Sequence, residues 1–335
     1  MKLRILSEAD VRRVIDMSTA IDLQAQAFKI LAEGRSVEGL RSFATSDQPP
    51  GIAIFNPCFL KEGGGYGIKV VSDFYGNEKR GVPRMTSLVA LFDGETGAPR
   101  TVMEGGHLTD LRTGAVTALA ARHLARHDSR VLAIIGAGRV ARNQIEALCT
   151  EFDIERILVS TRTRARGEEL LARMAAMGGR IPADIRLVDS PVEAVRVADL
   201  VVAATTSHAP VIHGADLRLG TFVAGTGAYE ADMREVDTTT IARATKWVVD
   251  SRSDCLEFAG DLVIPINEMV IEATQVAEIA EIVAGHRPGR ENPDEITFFK
   301  SIGVPVQDLV TAQHIERRAI EEGIGTLVEI GGDIG

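Results

Sequence analysis

Cysteine is scarce in this chain, and long apolar segments are missing from it. Only Cys58, Cys149 and Cys255 occur among 335 residues, an odd number at wide spacing. This usage predicts reduced thiols and a cytoplasmic location rather than a disulfide framework. No apolar run approaches the roughly 20 residues that a membrane helix requires. The opening residues M-K-L-R-I-L-S-E-A-D lack a long apolar core and a small-residue cleavage site, so we expect no signal peptide.

Clustered basic residues are also missing. The formal net charge is −10, and no run of lysine or arginine offsets it locally. Nucleic acids and anionic membranes attract positive surfaces, so this balance argues against both as partners. We therefore expect neither nucleic acids nor membranes among its partners.

Patterns for nucleophilic or metal catalysis are absent from the sequence. It contains no G-x-S-x-G segment. His123 and His127 lie four residues apart, but they form no H-E-x-x-H pattern and have no evident third ligand. His208 and His213 flank a loop, where they would line a cofactor cleft. We predict no metal site.

The most informative segment is V-L-A-I-I-G-A-G-R-V-A, which covers residues 131–141. Its apolar start predicts a buried parallel strand, and Val140, Ile145 and Leu148 mark one face of a following helix. The intervening G-x-G-x-x-A is a dinucleotide-binding fingerprint, in which glycines permit a tight turn and close approach of a pyrophosphate to the helix N-terminus. The alternative is an α/β crossover whose glycines serve packing alone. The cofactor-binding residues predicted from this segment are Gly136, Ala137, Gly138, Arg139 and Val140.

Strands and helices alternate downstream of this segment. Strands are predicted at 131–135, 156–160, 185–188, 199–203, 221–225 and 246–250, with helices around 139–150 and 165–177 and a last strand within 297–303. This order predicts a Rossmann-type domain over residues 127–304.

The remaining sequence predicts a second domain of α+β type. Early helical patterns are followed by strands at 52–55, ended by Pro57, at 66–72 and at 87–92, and then by a helix over about 109–126. A C-terminal helix over 306–319 has an apolar face suited to packing back on this region. The fold class is therefore α/β, with a Rossmann domain and a discontinuous α+β domain formed by residues 1–126 and 305–335.

Arg112 falls in the first turn of the predicted helix 109–126. A cation is unfavourable there by a few tenths of a kcal/mol, because the helix dipole is positive at that end. This placement favours a role in binding an anionic ligand. The alternative is an ion pair with a nearby carboxylate such as Asp110 or Glu104.

The residues after the second Rossmann strand bear on the choice of nucleotide. NAD enzymes usually carry an acidic residue there to bind the ribose hydroxyl. This chain has Ser160 followed by Thr161, Arg162 and Thr163, which suit a 2′-phosphate because arginine gives charge-assisted contacts. We therefore predict NAD(P), with NADP favoured. The alternative is that Arg162 stacks on adenine and both cofactors bind. Further cofactor-binding residues are assigned at Gly225, Thr226 and Ser301.

Several segments together resemble the ornithine cyclodeaminase/mu-crystallin family. They are G-I-K-V-V-S at 67–72, T-G-A-P at 96–99, L-T-D-L-R-T at 108–113, I-I-G-A-G at 134–138 and F-K-S-I-G at 299–303. The resemblance implies a homodimer with a Rossmann domain and a second domain for substrate binding and dimerisation. It also implies that Lys69, Arg112 and Arg41 bind the α-carboxylate of an amino or imino acid.

Physical chemistry supports the role that the resemblance implies for these three cations. Three converging cations give charge-assisted bonds to a carboxylate, and their mutual repulsion lowers the pKa of Lys69. Lys69 could then exchange a proton with the substrate near neutral pH, so it is the predicted catalytic residue. The alternative is a strand lysine that extends to solvent.

Two departures from the cyclodeaminases of the family are visible. Gly227, in A-G-T-G-A-Y, stands where those enzymes carry an aspartate after the fifth Rossmann strand, and Ile54 stands where they carry a glutamate. Without these carboxylates an internal cyclisation lacks its base, whereas hydride transfer to an α-carbon does not need them. Arg84, in G-V-P-R-M-T-S, is a third departure. It is either a site for a second substrate carboxylate, as in iminosuccinate, or a surface arginine.

These observations predict an NAD(P)H-dependent reductase that forms an L-amino acid from an α-imino acid. An ornithine or lysine cyclodeaminase with bound NAD is one alternative. A non-catalytic NADPH-binding protein is the other.

Overall fold

The computed structural model describes residues 1–331. Its strands are β1 Lys2–Leu6, β2 Ser36–Glu38, β3 Ser42–Asp47, β4 Pro50–Leu60, β5 Tyr66–Phe74, β6 Met85–Phe92, β7 Pro99–Glu104, β8 Val131–Ile135, β9 Arg156–Ser160, β10 Asp184–Leu187, β11 Leu200–Ala203, β12 Phe222–Gly225, β13 Lys246–Val249, β14 Ala277–Glu278, β15 Thr297–Lys300 and β16 Thr326–Glu329. Its helices are α1 Glu8–Val14, α2 Met17–Ala32, α3 Gly106–Leu124, α4 Arg139–Glu151, α5 Arg164–Met177, α6 Pro191–Val195, α7 Thr238–Arg243, α8 Arg252–Phe258, α9 Gly260–Asn267, α10 Ile279–Val283 and α11 Pro305–Glu321.

The chain divides into two compact units. The first combines Met1–Arg112 with the segment that begins at Val304, and the second is Thr113–Gly303. The division falls inside α3, earlier in the chain than the boundary after residue 126 that the sequence suggests. The assignment of functions to the two domains stays a prediction.

The first unit is built on a mixed sheet in the order β16-β1-β7-β6-β5-β4-β2, with β3 also paired to β4. The pairing is antiparallel except between β1 and β7. Helix α11 packs against β4, β5, β6 and α2. Its apolar positions Leu309, Ala312, Ile315 and Ala319 are buried, as the sequence periodicity predicts. Alternating burial along β5 places Gly67, Lys69, Val71 and Asp73 on one covered face.

The prediction that a strand ends at Pro57 is wrong. Strand β4 continues through Pro57, which lies opposite Ile68 of β5. On its other side β4 pairs with β3 up to Phe55 and with β2 from Cys58 onward. Pro57 therefore falls between two partner strands, where the missing N–H leaves no ladder bond unmade.

The second unit contains a parallel sheet in the order β10-β9-β8-β11-β12-β15-β13-β14. Strands β11, β12 and β15 are buried along their whole length, as expected for a sheet covered on both faces. Strand order runs outward in both directions from β8, so the switch point of the sheet lies between β8 and β11. Open α/β sheets bind ligands at the carboxyl ends of the strands beside such a point. The Rossmann-type fold class is confirmed.

The described residues also bear on membrane insertion and metal binding. Among residues 1–331, none of the helices combines the length and apolar character needed to cross a bilayer. The same part of the chain holds no group of three or more histidine, cysteine or acidic side chains arranged to bind a metal ion.

Candidate functional site

A buried ion cluster in the first unit joins Lys69 of β5, Asp308 of α11 and Arg112 of α3. The Nζ atom of Lys69 lies 2.6 Å from Oδ2 of Asp308. The other carboxylate oxygen of Asp308 accepts a hydrogen bond of 3.0 Å from Nε of Arg112. All three side chains are at least nine-tenths buried. A charge so far from water is stable only with partners, so Asp308 holds two cations in fixed positions.

Arg41 lies at the edge of this cluster, in the segment between β2 and β3. Its Nε donates a hydrogen bond of 3.1 Å to Oδ1 of Asn56. Asn56 is the residue of β4 directly opposite Lys69 in the β4–β5 ladder. Unlike Lys69 and Arg112, Arg41 is only partly buried. The structure therefore brings together the three cations to which the family resemblance assigns carboxylate binding.

The surroundings of Lys69 set its proton affinity. Burial lowers the pKa of Lys69 to about 8, and the positive charges of Arg112 and Arg41 add to this effect while Asp308 opposes it. Burial raises the pKa of the Asp308 carboxyl, but the positive charges of Lys69 and Arg112 outweigh this effect and hold that pKa below its usual value. Lys69 can therefore gain or lose a proton near neutral pH while Asp308 stays ionised.

The expectation that Arg112 lies in the first turn of its helix is wrong. Helix α3 begins at Gly106, so Arg112 is its seventh residue and lies beyond the first turn. Glu104 instead caps the helix start, where it accepts hydrogen bonds from the N–H groups of Gly106 and His107. The carboxylate paired with Arg112 is Asp308, which comes from a distant part of the chain.

Arg84 makes contacts elsewhere. Its guanidinium forms two hydrogen bonds to the carboxylate of Asp73, at 2.6 and 2.9 Å. It also lies over the ring of Tyr75, 4.3 Å from the centroid. Asp73 is four residues beyond Lys69 on the same face of β5, roughly 13 Å along the strand. Arg84 therefore has a carboxylate partner within the chain.

The predicted fingerprint forms the turn between β8 and α4. Gly136 has a φ of +111°, and a Cβ there would lie 2.5 Å from the carbonyl oxygen of Ala204. Gly138 is the residue that precedes α4, with a φ of −83°. A Cβ on Gly138 would meet nothing within 4 Å. Within residues 1–331 no side chain caps this helix. The space at Gly138 and the uncapped helix N-terminus fit a pyrophosphate, and Ala137, Arg139 and Val140 flank them.

The other predicted cofactor residues lie at the carboxyl ends of neighbouring strands. Thr161, Arg162 and Thr163 follow β9, and Arg162 is exposed, with no hydrogen-bond or ion-pair partner in the described chain. Gly225 ends β12, and Thr226 bonds back to the carbonyl of Ala203 through its N–H and its hydroxyl. Ser301 follows β15.

Ser301 is held by a buried carboxylate that the sequence did not single out. Its hydroxyl donates a hydrogen bond of 2.6 Å to Oδ2 of Asp250. The same oxygen accepts the N–H groups of Ile302 and Gly303. Asp250 therefore fixes the turn after β15 and the orientation of the Ser301 hydroxyl.

Gly227 and Ile54, the two positions at which the cyclodeaminases carry a carboxylate, have different surroundings. Gly227 is so close to the backbone of Thr205 that a Cβ would overlap its carbonyl oxygen, at 1.9 Å. A side chain of any kind at Gly227 therefore requires a different backbone path. Ile54 lies within β4, opposite Val71 of β5.

Asp308 and Asn56 are the site residues that sequence reasoning missed. Asp308 belongs to the predicted helix 306–319, but a single acidic residue in an amphipathic helix gives no sign of its partner. One signal is the polar group Gln307, Asp308 and Thr311, which is buried on the packed side of α11. Polar residues among the core positions of a helix indicate partners elsewhere in the fold.

Almost the whole chain matches a known protein family. A family model described as the ornithine cyclodeaminase/mu-crystallin family matches residues 1–323. The chain is 32% identical over 326 residues to a Delta(1)-pyrroline-2-carboxylate reductase of Bacillus cereus, which covers 97% of this chain and 99% of that protein.

Two solved structures are similar over almost the whole chain. The Delta(1)-pyrroline-2-carboxylate reductase of Thermococcus litoralis, in complex with NADH and L-proline, has a TM-score of 0.91 and 37% identity, covering 96% of this chain and 99% of that one. The iminosuccinate reductase of Paracoccus denitrificans, in complex with NAD+, has a TM-score of 0.90 and 25% identity, covering 98% and 100%. The chain belongs to the ornithine cyclodeaminase/mu-crystallin family.

Proposed function

We propose that this protein is an NAD(P)H-dependent reductase that converts an α-imino acid into an L-amino acid. The observation that carries the proposal is the buried cluster of Lys69, Arg112 and Asp308, in a chain whose other unit holds the dinucleotide fingerprint. Relatives that reduce pyrroline-2-carboxylate and iminosuccinate support the reaction type.

The cation cluster supplies a site for the substrate carboxylate. Asp308 pairs with Lys69 and Arg112, and the charge of Arg41 also acts on Lys69, so the cluster has more positive than negative groups and attracts an anionic substrate. Arg41 is the partly exposed member and is therefore the first to meet a ligand. Fixing the carboxylate fixes the imine carbon, and orientation contributes strongly to a reaction between two bound molecules.

Lys69 balances the proton in this mechanism. A nicotinamide dinucleotide held at the turn of residues 136–140 would supply the hydride that the imine carbon accepts. The substrate nitrogen gains a proton over the same reaction, and the Lys69 ammonium, with a pKa of about 8, can provide it at neutral pH. Asp308 keeps Lys69 in place, and its negative charge favours the return of Lys69 to the ammonium form.

A cyclic imine with one carboxylate is the substrate class that we favour. Arg84, the candidate for a second carboxylate, is already bound in a bidentate pair with Asp73. A second substrate carboxylate would have to displace that pair. Pyrroline-2-carboxylate carries a single carboxylate and is the substrate named for two of the similar proteins.

We further propose that NADPH is preferred over NADH. Thr161, Arg162 and Thr163 offer hydroxyls and a guanidinium at the end of β9, and no acidic residue occupies that position. Arg162 is exposed and has no partner among residues 1–331, so it is available to a 2′-phosphate.

The homodimer expected from the resemblance is part of the proposal. Leu40, Phe43, Met85 and Leu88 of the first unit expose between 41% and 92% of their surface. Light scattering of the purified protein tests the dimer, and a monomer mass would contradict it.

The first experiment is NADPH and NADH oxidation with a panel of imines. The panel contains pyrroline- and piperideine-2-carboxylate, pyruvate or glyoxylate with ammonia or methylamine, and oxaloacetate with ammonia. We expect the cyclic imines to be reduced fastest, and Lys69→Ala and Arg112→Ala each to lower kcat/KM by about a hundredfold or more. Near-normal turnover in both variants would contradict the assignment.

Other outcomes of the panel lead to other functions. Ammonia release from ornithine or lysine without net NAD(P)H consumption would instead identify a cyclodeaminase. Tight NADPH binding without turnover of any imine would identify a binding protein. Fast reduction of the oxaloacetate–ammonia mixture, lost in Arg84→Ala, would show that Arg84 leaves Asp73 to bind a second carboxylate.

A further inference from the structure

A second buried ion cluster lies in the Rossmann-type unit, and the proposed mechanism does not use it. Glu235, Asp261 and Lys300 are all fully buried. The Nζ atom of Lys300 lies 2.8 Å from Oδ2 of Asp261 and 3.8 Å from Oε2 of Glu235. Burial lowers the pKa of Lys300, but the carboxylates of Asp261 and Glu235 outweigh it and hold that pKa above its ordinary value. The two carboxylates therefore favour the ammonium form of Lys300.

Glu235 uses both of its oxygens to hold two chain segments together. Oε1 accepts hydrogen bonds from the N–H and the hydroxyl of Thr205, at 2.7 and 2.9 Å. Oε2 accepts the N–H groups of Gly227 and Ala228, at 2.7 and 3.2 Å. With two donors on each oxygen, the acceptor sites of a carboxylate are filled. Only the ionised form satisfies all four donors.

Asp261 and Lys300 in turn hold Glu235. Oδ1 of Asp261 accepts the N–H groups of Glu235 and Val236, at 2.6 and 3.0 Å. Its other oxygen carries the ion pair with Lys300, at the end of β15. Gly225 is packed against this pair, since a Cβ there would lie 3.3 Å from Oδ2 of Asp261 and 3.5 Å from Nζ of Lys300.

The segments held by Glu235 lie where one half of a dinucleotide would extend. The pyrophosphate turn follows β8, and the residues suited to the adenosine ribose follow β9, on one side of β8. The other half of the cofactor must then extend past the carboxyl ends of β11 and β12, on the opposite side of β8. Thr205 follows β11 and Gly227 follows β12. Ala204 also contacts the fingerprint turn, because its carbonyl oxygen is the atom nearest a Cβ on Gly136.

We propose that Glu235, Asp261 and Lys300 are positioning residues that fix the Thr205 and Gly227 segments for the nicotinamide half of the cofactor. This inference rests on the proposed function, because it requires a nicotinamide dinucleotide. It assigns a role to Lys300, the lysine of F-K-S-I-G, whose ammonium is buried and forms an ion pair with Asp261. It also explains why position 227 is glycine, since drawing its backbone against Thr205 leaves no space for a side chain.

Binding of whole and truncated cofactors tests the proposal. ADP-ribose contains the adenosine and pyrophosphate but lacks the nicotinamide. In Glu235→Gln, the amide NH2 faces N–H donors in place of an acceptor oxygen, so the two segments shift. We expect the dissociation constant of NADH, measured by its fluorescence, to rise about tenfold or more. The dissociation constant of ADP-ribose, measured by calorimetry, should stay within about twofold because β8 and β9 are untouched.

Asp199→Asn is the matched control. Asp199 is also a buried carboxylate, and it accepts the N–H groups of Arg130 and Val131 and pairs with Arg126. It lies just before β11, at the amino edge of the same sheet. A comparable loss of thermal stability is expected in both variants, but only Glu235→Gln should separate NADH affinity from ADP-ribose affinity.

Thr205→Val provides the test if Glu235→Gln does not fold. It removes one hydrogen bond to Glu235 and leaves the backbone donors in place. We expect a smaller increase in the dissociation constant of NADH, about threefold or more, with that of ADP-ribose unchanged. An equal decrease in affinity for NADH and ADP-ribose in the variants, or no decrease for either, would overturn the positioning role. A wild-type protein that binds ADP-ribose but neither NADH nor NADPH more tightly would overturn the proposed function as well.

Discussion

Lys69 is the residue on which the proposed chemistry depends, and its neighbours change its pKa in opposite directions. Burial, Arg112 and Arg41 lower that pKa, whereas Asp308 raises it, with the result near 8. Each neighbour can be neutralised without altering Lys69 itself. The titration of one lysine can therefore be moved both ways by substitutions around it.

We expect kcat/KM for imine reduction to fall as pH rises through about 8, because the ammonium form of Lys69 is lost there. Oxidation of the amino acid should show the reverse dependence. Asp308→Asn removes a negative charge that stabilises the ammonium form of Lys69. The alkaline decrease in kcat/KM should therefore move to lower pH by roughly one unit in this variant. Arg41→Gln and Arg112→Gln each remove a positive charge near Lys69, so the alkaline decrease in kcat/KM should move to higher pH in these variants.

The pH–rate profiles of all four enzymes with one substrate provide the measurement. The titration of the imine nitrogen of the substrate is the same in each of them. An alkaline decrease in kcat/KM that occurs at the same pH in every variant would therefore reflect titration of the substrate and not of Lys69.

Arg162 carries the prediction about nucleotide choice. Arg162→Ala should raise the KM for NADPH about tenfold to a hundredfold and leave the KM for NADH nearly unchanged, since only NADPH has a phosphate at that position. Arg164→Ala is the control, because Arg164 is a nearby exposed arginine already paired with Glu168 at 3.0 Å. Equal effects of Arg162→Ala on both cofactors would indicate stacking on adenine instead.

At the scale of elements, the β8–turn–α4 unit separates two requirements for glycine. Gly136 needs its freedom for the backbone, because its φ is +111° and a Cβ there would lie 2.5 Å from a carbonyl oxygen. Gly138 has an ordinary φ of −83°, and a Cβ there would meet only open space. The first glycine shapes the turn, and the second leaves room for a ligand.

Alanine at each position should therefore fail differently. Gly136→Ala should lose about 1–3 kcal/mol of stability, because strain and a backbone clash both oppose it. Gly138→Ala should keep the wild-type melting temperature but bind NADPH at least about tenfold more weakly, because its methyl group occupies space needed by the pyrophosphate. Thermal unfolding and equilibrium binding measure the two effects. A stable Gly138→Ala variant that binds NADPH with wild-type affinity would contradict the assignment of the pyrophosphate to this turn.

Elements with strong periodicity could be predicted from the sequence, and contacts between distant elements could not. Strand β8, helix α4 and helix α11 have clear apolar patterns, and their predicted ranges match the structure to within two residues. Strand β3 is mostly exposed and polar, so its sequence gives little sign of a strand. Asp308 was missed for a different reason, since its partners are set by the packing of α11 on β5 and not by its own helix. The same holds for Glu235, because two of its four donors come from Thr205, in the loop that follows β11.

At the scale of the whole molecule, the predicted cofactor residues and the predicted carboxylate-binding residues belong to different units. Residues 136–140, 161–163, 225–226 and 301 lie within Thr113–Gly303, whereas Arg41, Lys69 and Arg112 lie in the first unit. Trp247 is the single tryptophan of the chain and belongs to β13 of the second unit. Its fluorescence therefore reports unfolding of the unit that carries the cofactor residues.

NADP+ should stabilise that unit without help from the substrate site. At 100 times its dissociation constant a ligand adds about 2.7 kcal/mol to the free energy of unfolding of the part that binds it. The tryptophan-monitored melting temperature should rise by the same amount in wild type and in Lys69→Ala. In Gly138→Ala, with binding at least about tenfold weaker, it should rise by about half as much or less at the same concentration. If Lys69→Ala abolished the shift, the cofactor would depend on the first unit for binding, and the assignment of its site to residues of the second unit alone would be wrong.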